Sequence, residues 1–470
     1  MSEQILEEYY VGPVKVEIVK RANQCYYIVN EPQLNNLEEK VKEKILSELY
    51  YTKVENLEEE VVKRLQNLKL NDESIERILY HIKKALMYGD LTTLMLDPKV
   101  EEIEFKGYLH PITVIHRDHS ECIRLYTNVA IPSDEEAIKI VEKLANKANK
   151  NINIAKPYIE FSLPEGHRVA ATISKEISLP GTTFDIRKFP LRPLSIVEII
   201  KSGMINELIT SYLWLLLEYK PFIIILGSTG SGKTTLLNAL LNLVNPNYKI
   251  LTIEDTPEIN IKSQNWVRFI SRSTLSGNLD VTMMDLAKLA LRYRPDYLVV
   301  GEVRGKEIEA LVHAAASGHG SLTTFHGSRP VDAVTRISDL LSSDLAKLFL
   351  QTIWAFVVLG NVKDGEKTRR SVLSIYEVVM KGSKTGFKKV VEWSYTKSSF
   401  VPTTPQELAK KSSLLKRIKE IYNVDVTAEL DRRMRFLQEM IKDNVVSFEE
   451  VSKKVLEFYG MGGKVEVASL

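Results

Sequence analysis

Residues 222–243 read FIIILGSTGSGKTTLLNALLNL, and no other stretch restricts the fold of this chain as strongly. The apolar, β-branched run Phe222 to Leu226 passes into a glycine-rich turn and then into a helical pattern that begins near Gly232. Gly227, Gly232, Lys233 and Thr234 stand at the GxxxxGK[ST] spacing of a phosphate-binding loop. Ser228, Thr229, Gly230 and Ser231 complete the loop, and Thr235 follows it. Glycines take backbone conformations closed to other residues, so successive N–H groups can converge on an anion. The helix behind the loop adds the positive end of its dipole. Lys233 is placed for the β/γ-phosphates of ATP and the Thr234 hydroxyl for Mg²⁺. A chance glycine-rich turn has no reason to carry strand, loop and helix in this order.

At 470 residues the chain is too long for one ordinary core, and length alone suggests about two to four domains. Hydrophobic and charged contents of 44% and 26% are those of a soluble globular protein. The net charge of +2 provides no global footprint for nucleic acid. Cys25 and Cys122 lie far apart in sequence and suggest neither a disulfide framework nor a CxxC metal site; a reducing cytoplasm is the expectation. The N-terminus MSEQILEEYY has no apolar signal core. The apolar stretch Ile205 to Leu226 is interrupted by Glu207, Glu218, Lys220 and Pro221, so any membrane contact is expected to be peripheral.

Along the chain, alternation over residues 9–32 predicts a β-hairpin, with Arg21 to Gln24 as its connection. Charged amphipathic helices are expected from Asn35 to Leu70 and a further helix from Asp72 to Met87, ending at Gly89. Residues 71–188 read as a compact α+β domain. It has strands near 96–107, 111–117, 161–173 and 183–189 and a helix at 135–148, and Arg168 and Arg187 fall near its end. Residues 189–196, with Pro190 and Pro193, read as a semi-rigid hinge. From 197 to 400 strands alternate with helices, which implies a parallel sheet covered on both faces, an α/β architecture. Residues 401–470 read as a charged helical region, and 1–70 as a separate N-terminal segment.

Hydrolysis at a phosphate loop needs carboxylates near the γ-phosphate. After the strand 249–253 come Glu254, Asp255 and Glu258; after the strand 297–300 come Glu302 and Arg304. In a parallel sheet both sets emerge at the edge where the phosphate loop emerges. The segment GHGSLTTFHG, 318–327, places His326 just after a further strand, where it could donate to a γ-phosphate. His319 reads equally well as structural or functional. Zinc binding by His313, His319 and His326 is disfavoured, because separations of six and seven do not share one helical face.

Taken together, GSTGSGKTT, IEDTPE (253–258), LRYRPDYLVVGEVRG (291–305) and GHGSLTTFHG resemble the secretion ATPase superfamily of type II and type IV secretion. The likeness is strongest to its archaeal branch, which powers pilus or archaellum assembly. DPKVEEIEFKG (97–107), LPEGHRVAATI (163–173) and TFDIRKFP (183–190) extend the resemblance over roughly residues 70–380. It implies a RecA-like P-loop ATPase domain behind an α+β N-terminal domain, nucleotide between the two, and a homohexameric ring. It also implies that Glu254 polarises water, that Glu302 is the Walker B carboxylate acting on Mg²⁺ through water, and that His326 contacts the γ-phosphate. Arg168 and Arg187 would move onto the nucleotide as the domains close. The tetracysteine module of many bacterial members is absent from the sequence.

The function so implied is a motor that hydrolyses ATP at the inner face of the cytoplasmic membrane. It would push on a polytopic membrane platform protein to assemble a pilus or archaellum, or to drive type II-like secretion. The competing readings are a nucleotide-gated scaffold without turnover and a DNA-translocating conjugation ATPase. A GTPase would need a base-recognition NKxD motif, which was not found in the sequence.

Overall fold

The computed structural model of the chain describes residues 3–49, 57–66, 68, 70–189, 192–272, 280–364, 367–382 and 384–461. Two compact units divide it, Met1–Leu191 and Arg192–Leu470. Pro190, in the expected hinge, lies outside the described residues, as do parts of the expected helical stretch 35–70 and of the region 401–470.

In the first unit the described strands form one sheet. They are β1 (Glu3–Val11), β2 (Val14–Arg21), β3 (Gln24–Asn30), β4 (Val100–Phe105), β5 (Thr113–His116), β6 (Leu125–Thr127), β7 (Tyr158–Ser162), β8 (Arg168–Thr172) and β9 (Thr183–Arg187). Their order is β1-β2-β3-β6-β5-β4-β9-β8-β7. The period-two pattern sets which face is covered. Along β7, Ile159 and Phe161 are buried while Tyr158, Glu160 and Ser162 are exposed. The helix Asp134–Lys147 contributes Ala137, Val141 and Leu144 to the core beneath the inner face. Its N-terminus is capped by Ser133. Helices Asn36–Leu49, Leu57–Gln66 and Asp72–Lys83 share a smaller core built on Ile45, Val61, Leu65 and Ile78.

Three expectations change here. The hairpin at 9–32 is a three-stranded meander, because Gly12, at φ +54°, turns the chain once more ahead of β2. The boundary at residue 70 is displaced: β3 pairs in parallel with β6, so the strands of residues 3–30 share a sheet with those of residues 71–188. Cys25 and Cys122 are disulfide-bonded. Sequence distance misleads at this point, since Cys25 lies opposite Leu125 and Cys122 closes the turn just before β6. The cysteines therefore no longer argue for a reducing compartment. The bond closes an interval of 97 residues. Removing it through Cys122→Ser is expected to cost about 4.7 kcal/mol where loop entropy dominates. Thermal melts of parent and variant, each with and without reductant, check this; only the parent should respond.

The second unit is built on β10 (Phe222–Gly227), β11 (Ile250–Glu254), β12 (Trp266–Ile270), β13 (Tyr297–Glu302), β14 (Gly320–His326), β15 (Ala355–Asp364), β16 (Lys367–Lys381), β17 (Lys384–Ser394) and β18 (Ser399–Val401). The order is β12-β11-β13-β14-β10-β15-β16-β17-β18. The run from β12 to β15 is parallel and the remainder antiparallel. β10 is buried on both faces. Ile223 and Ile225 enter one core with Trp214, Leu237 and Leu240; Phe222, Ile224 and Leu226 enter the other with Leu311 and Phe349. That double burial is what a continuous apolar strand in a parallel sheet requires. One strand, β14, separates β10 from β13, the RecA-like arrangement. Ser195 caps the helix Ile196–Lys201 in a capping box with Glu198. The C-terminal helices do not stand apart: Leu415, Leu430, Leu437 and Val455 belong to the same core as Ile223. Among the described residues no helix is long and apolar enough to cross a membrane.

Candidate functional site

The carboxyl ends of β10, β14, β13 and β11 lie side by side, and their register fixes what meets there. Gly227 at the end of β10 is opposite His326 at the end of β14. Simple alternation would send Glu302 to the same side as Leu298 and Val300, both core residues. A bulge prevents this: Val300 pairs with Thr323 but Glu302 pairs with Thr324, so Gly301 is the extra residue. The Thr324 hydroxyl donates to the Gly301 carbonyl at 2.8 Å. Glu302 is thereby turned out of the core to His326, whose Nε2 lies 2.6 Å from its Oε1.

The loop itself has the form of a cradle. Ser228, Thr229 and Gly230 are exposed, whereas Ser231 and Lys233 are buried. Lys233 Nζ donates to the Ser228 carbonyl at 2.9 Å and Ser231 Oγ to the same oxygen at 2.8 Å. Gly230 and Gly232 have φ of +73° and +90°, and a Cβ on Gly232 would come within 2.8 Å of Met204 Cε. Thr234 and Thr235 are half-buried in the first turn of the helix Lys233–Leu241. Glycine torsions, a buried ammonium and two hydroxyls at a helix N-terminus fit a phosphate chain and its Mg²⁺.

Charge is arranged unevenly. Burial first, and then the Lys233 charge, hold His326 below the ordinary imidazole value, against the pull of Glu302. At neutral pH the ring is therefore neutral and donates its Nε2–H to Glu302. Arg304 donates to the other oxygen of Glu302 at 2.8 Å. Burial opposes the Arg304 charge, but the bond to Glu302 outweighs it and raises the guanidinium's pKa; Asp255 and Glu258 add to this. Glu254 is 2% exposed. Its Oε1 accepts from the N–H groups of Glu258 and Ile259, both at 2.7 Å, and its Oε2 from Arg268 Nε at 3.1 Å. Burial raises its pKa despite Arg268. In this arrangement Glu254 shapes the 255–259 loop. Asp255 accepts from Ser271 Oγ at 2.6 Å.

His319 is not brought to this edge. It precedes β14, and six residues at about 3.3 Å each separate the two ends of that strand, roughly 20 Å. It stands instead near Asp296, which binds Lys220 at 2.6 Å. Arg168 and Arg187 belong to the first unit and are direct cross-strand partners on β8 and β9. Arg168 pairs with Glu160, and Arg187 lies 3.9 Å from Glu102. Like charges placed opposite each other on a sheet are unfavourable for folding, so the fold itself gains nothing from this pair.

Two residues at the site lay outside the sequence reading. Glu307 accepts from the N–H groups of Arg304 at 2.5 Å and Gly305 at 2.8 Å, holding the turn after β13. Arg268 binds Glu254 and also donates to the Ile259 carbonyl at 2.7 Å. An acidic residue two positions beyond a turn glycine was the available signal for Glu307. Arg268 had none, since β12 reads as an ordinary edge strand.

A glycine-rich loop after a buried parallel strand, on a sheet of this order, defines a P-loop NTPase fold of the RecA-like kind. The family described as type II/IV secretion system protein matches residues 107–359, and the chain belongs to that family. The chain is 30% identical to the uncharacterized protein MJ0900 of Methanocaldococcus jannaschii, over 93% of this chain and 85% of that protein. Protein VirB11 of Agrobacterium fabrum is 35% identical over 32% of this chain and 44% of its own length. The ATPase DotB of Legionella pneumophila aligns with 80% of this chain and 92% of its own, at 19% identity and a TM-score of 0.47.

Proposed function

We propose that the chain is a motor ATPase, and one observation carries the reading: the phosphate loop, Glu302 and His326 converge on a single sheet edge through strand register. Lys233 and the N–H groups of residues 228–235 would bind the phosphates. Thr234, with Glu302 through water, would hold Mg²⁺, which supplies charge neutralisation at the transferring phosphoryl group. Glu254 would orient the attacking water, for which it must share its carboxylate with Glu258, Ile259 and Arg268. His326, a neutral donor shared with Glu302, would turn to the γ-phosphate when ATP binds. Arg168 and Arg187 would add positive charge to the bound phosphates; their juxtaposition, unfavourable in the fold, is favourable on a polyanion.

The assembly proposed is a homohexamer on the inner face of the cytoplasmic membrane. It would act on a polytopic platform protein to build an archaeal pilus or archaellum, or to drive type II-like secretion. Phosphate release by the purified chain with Mg²⁺ and ATP tests the enzyme. Glu302→Gln is expected to bind ATP like the parent and to turn it over at least about 100-fold more slowly. A scaffold without turnover has one observation in its favour, the full engagement of Glu254. Absence of phosphate release from a folded, ATP-binding parent would establish that reading instead. For DNA translocation, the near-balanced charge of +2 argues against a strong electrostatic footprint.

A further inference from the structure

On the flank of the phosphate loop away from His326 stands a second cation. β10 has β14, with His326, on one side and β15 on the other, and β16 lies beyond β15. Near the start of β16 come two consecutive arginines, and strand alternation sends them to opposite faces. Arg369 lies over the Trp393 ring, 4.6 Å from its centroid, and donates to the Gly203 carbonyl. Arg370 goes the other way: its Cδ is 3.7 Å from where a Cβ on Gly232 would stand. Two further contacts tie the same segments together. Val372 N–H donates to the Met204 carbonyl at 2.8 Å, and Met204 Cε is the atom closest to that same position on Gly232. The turn Gly203–Met204, the loop glycine and this arginine therefore form one wall of the cradle.

We infer that Arg370 binds the part of the phosphate chain remote from Glu302 and His326, the α- and β-phosphates that ATP and ADP share. This rests on the nucleotide-binding reading proposed above. Lys233 of the loop, with Glu302 and His326 from the ends of β13 and β14, faces one end of a bound phosphate chain. Arg370 is the arginine that the strand order delivers to the other end from the same unit. A guanidinium makes forked contacts to phosphate oxygens that the lysine, a point charge, does not. The role is in affinity and placement of the nucleotide, common to substrate and product.

The test is titration of ATP and of ADP, each with Mg²⁺, into the parent, Arg370→Gln, Arg370→Lys and His326→Ala, with melting temperatures recorded for all. Arg370→Gln is expected to weaken ATP and ADP alike by about 10- to 100-fold, the worth of a charge-assisted bond. Arg370→Lys should recover part of the loss, and His326→Ala should weaken ATP more than ADP. Parent-like ADP affinity in a folded Arg370→Gln variant would overturn the inference, as would loss of ATP affinity alone. Failure of the folded parent itself to bind either nucleotide would overturn the nucleotide reading instead, so the two are told apart.

Discussion

Lys233→Ala is expected to lose ATP turnover by at least about 100-fold, because the proposed site then lacks its one buried cation beside the developing phosphate charge. The fold should hardly notice. The bond from Lys233 Nζ to the Ser228 carbonyl is worth about 1 kcal/mol, and removing a buried charge offsets part of that. Melting temperature should therefore stay close to the parent's while phosphate release disappears. A second readout does not depend on catalysis. Burial and then the Lys233 charge depress His326. Taking the charge away makes the imidazolium easier to form, so the His326 pKa should rise toward the ordinary value and its titration, followed by NMR, should move to higher pH. Retained turnover in Lys233→Ala would remove the ATPase proposal. An unmoved His326 titration would show that the ammonium does not act on the ring.

Much of this site could be read from the sequence because chemistry and periodicity coincide there. The run Phe222 to Leu226 signals a buried strand, and the glycine spacing marks the turn that follows it. Parallel alternation then places Glu254, Glu302 and His326 at one edge without any knowledge of side chains. What could not be read depends on register and on contacts between distant segments. The bulge at Gly301 decides where Glu302 points, and it exists only in relation to Thr323 and Thr324. His319 and His326 look like one motif, yet the strand between them holds them at opposite ends of the sheet. The parallel pairing of β3 with β6 joins segments a hundred residues apart, so neither the sheet nor the Cys25–Cys122 bond had a local signal.

Glu377→Ala is expected to be strongly destabilising. Glu377 is a charged residue in the middle of β16. In the fold it is fully buried, because the C-terminal helices cover that face of β16. Its Oε1 accepts from the Tyr212 hydroxyl at 2.7 Å and from the Ser412 hydroxyl. Its Oε2 accepts from the N–H groups of Ser413 at 2.6 Å and Leu414 at 3.3 Å. The carboxylate thus stands at the N-terminus of the helix Ser413–Tyr422, where the dipole favours negative charge. Burial and the Glu377 charge hold the Tyr212 phenol far above its usual pKa, so it remains a donor at every working pH. Truncation leaves these donors without their acceptor inside the core, at a cost of about 3–5 kcal/mol. In a unit of this size that should lower the melting temperature by about 10 °C. Tyr212→Phe removes one donor, leaves the acceptor with the others and should cost only about 1 kcal/mol. If calorimetry finds Glu377→Ala as stable as Tyr212→Phe, the carboxylate does not tie the C-terminal helices to the sheet. The expected difference would instead mean that the carboxylate ties the helix Glu207–Leu217 and the C-terminal helices to the P-loop sheet. Changes made in the C-terminal helices would then be felt at the phosphate loop through packing.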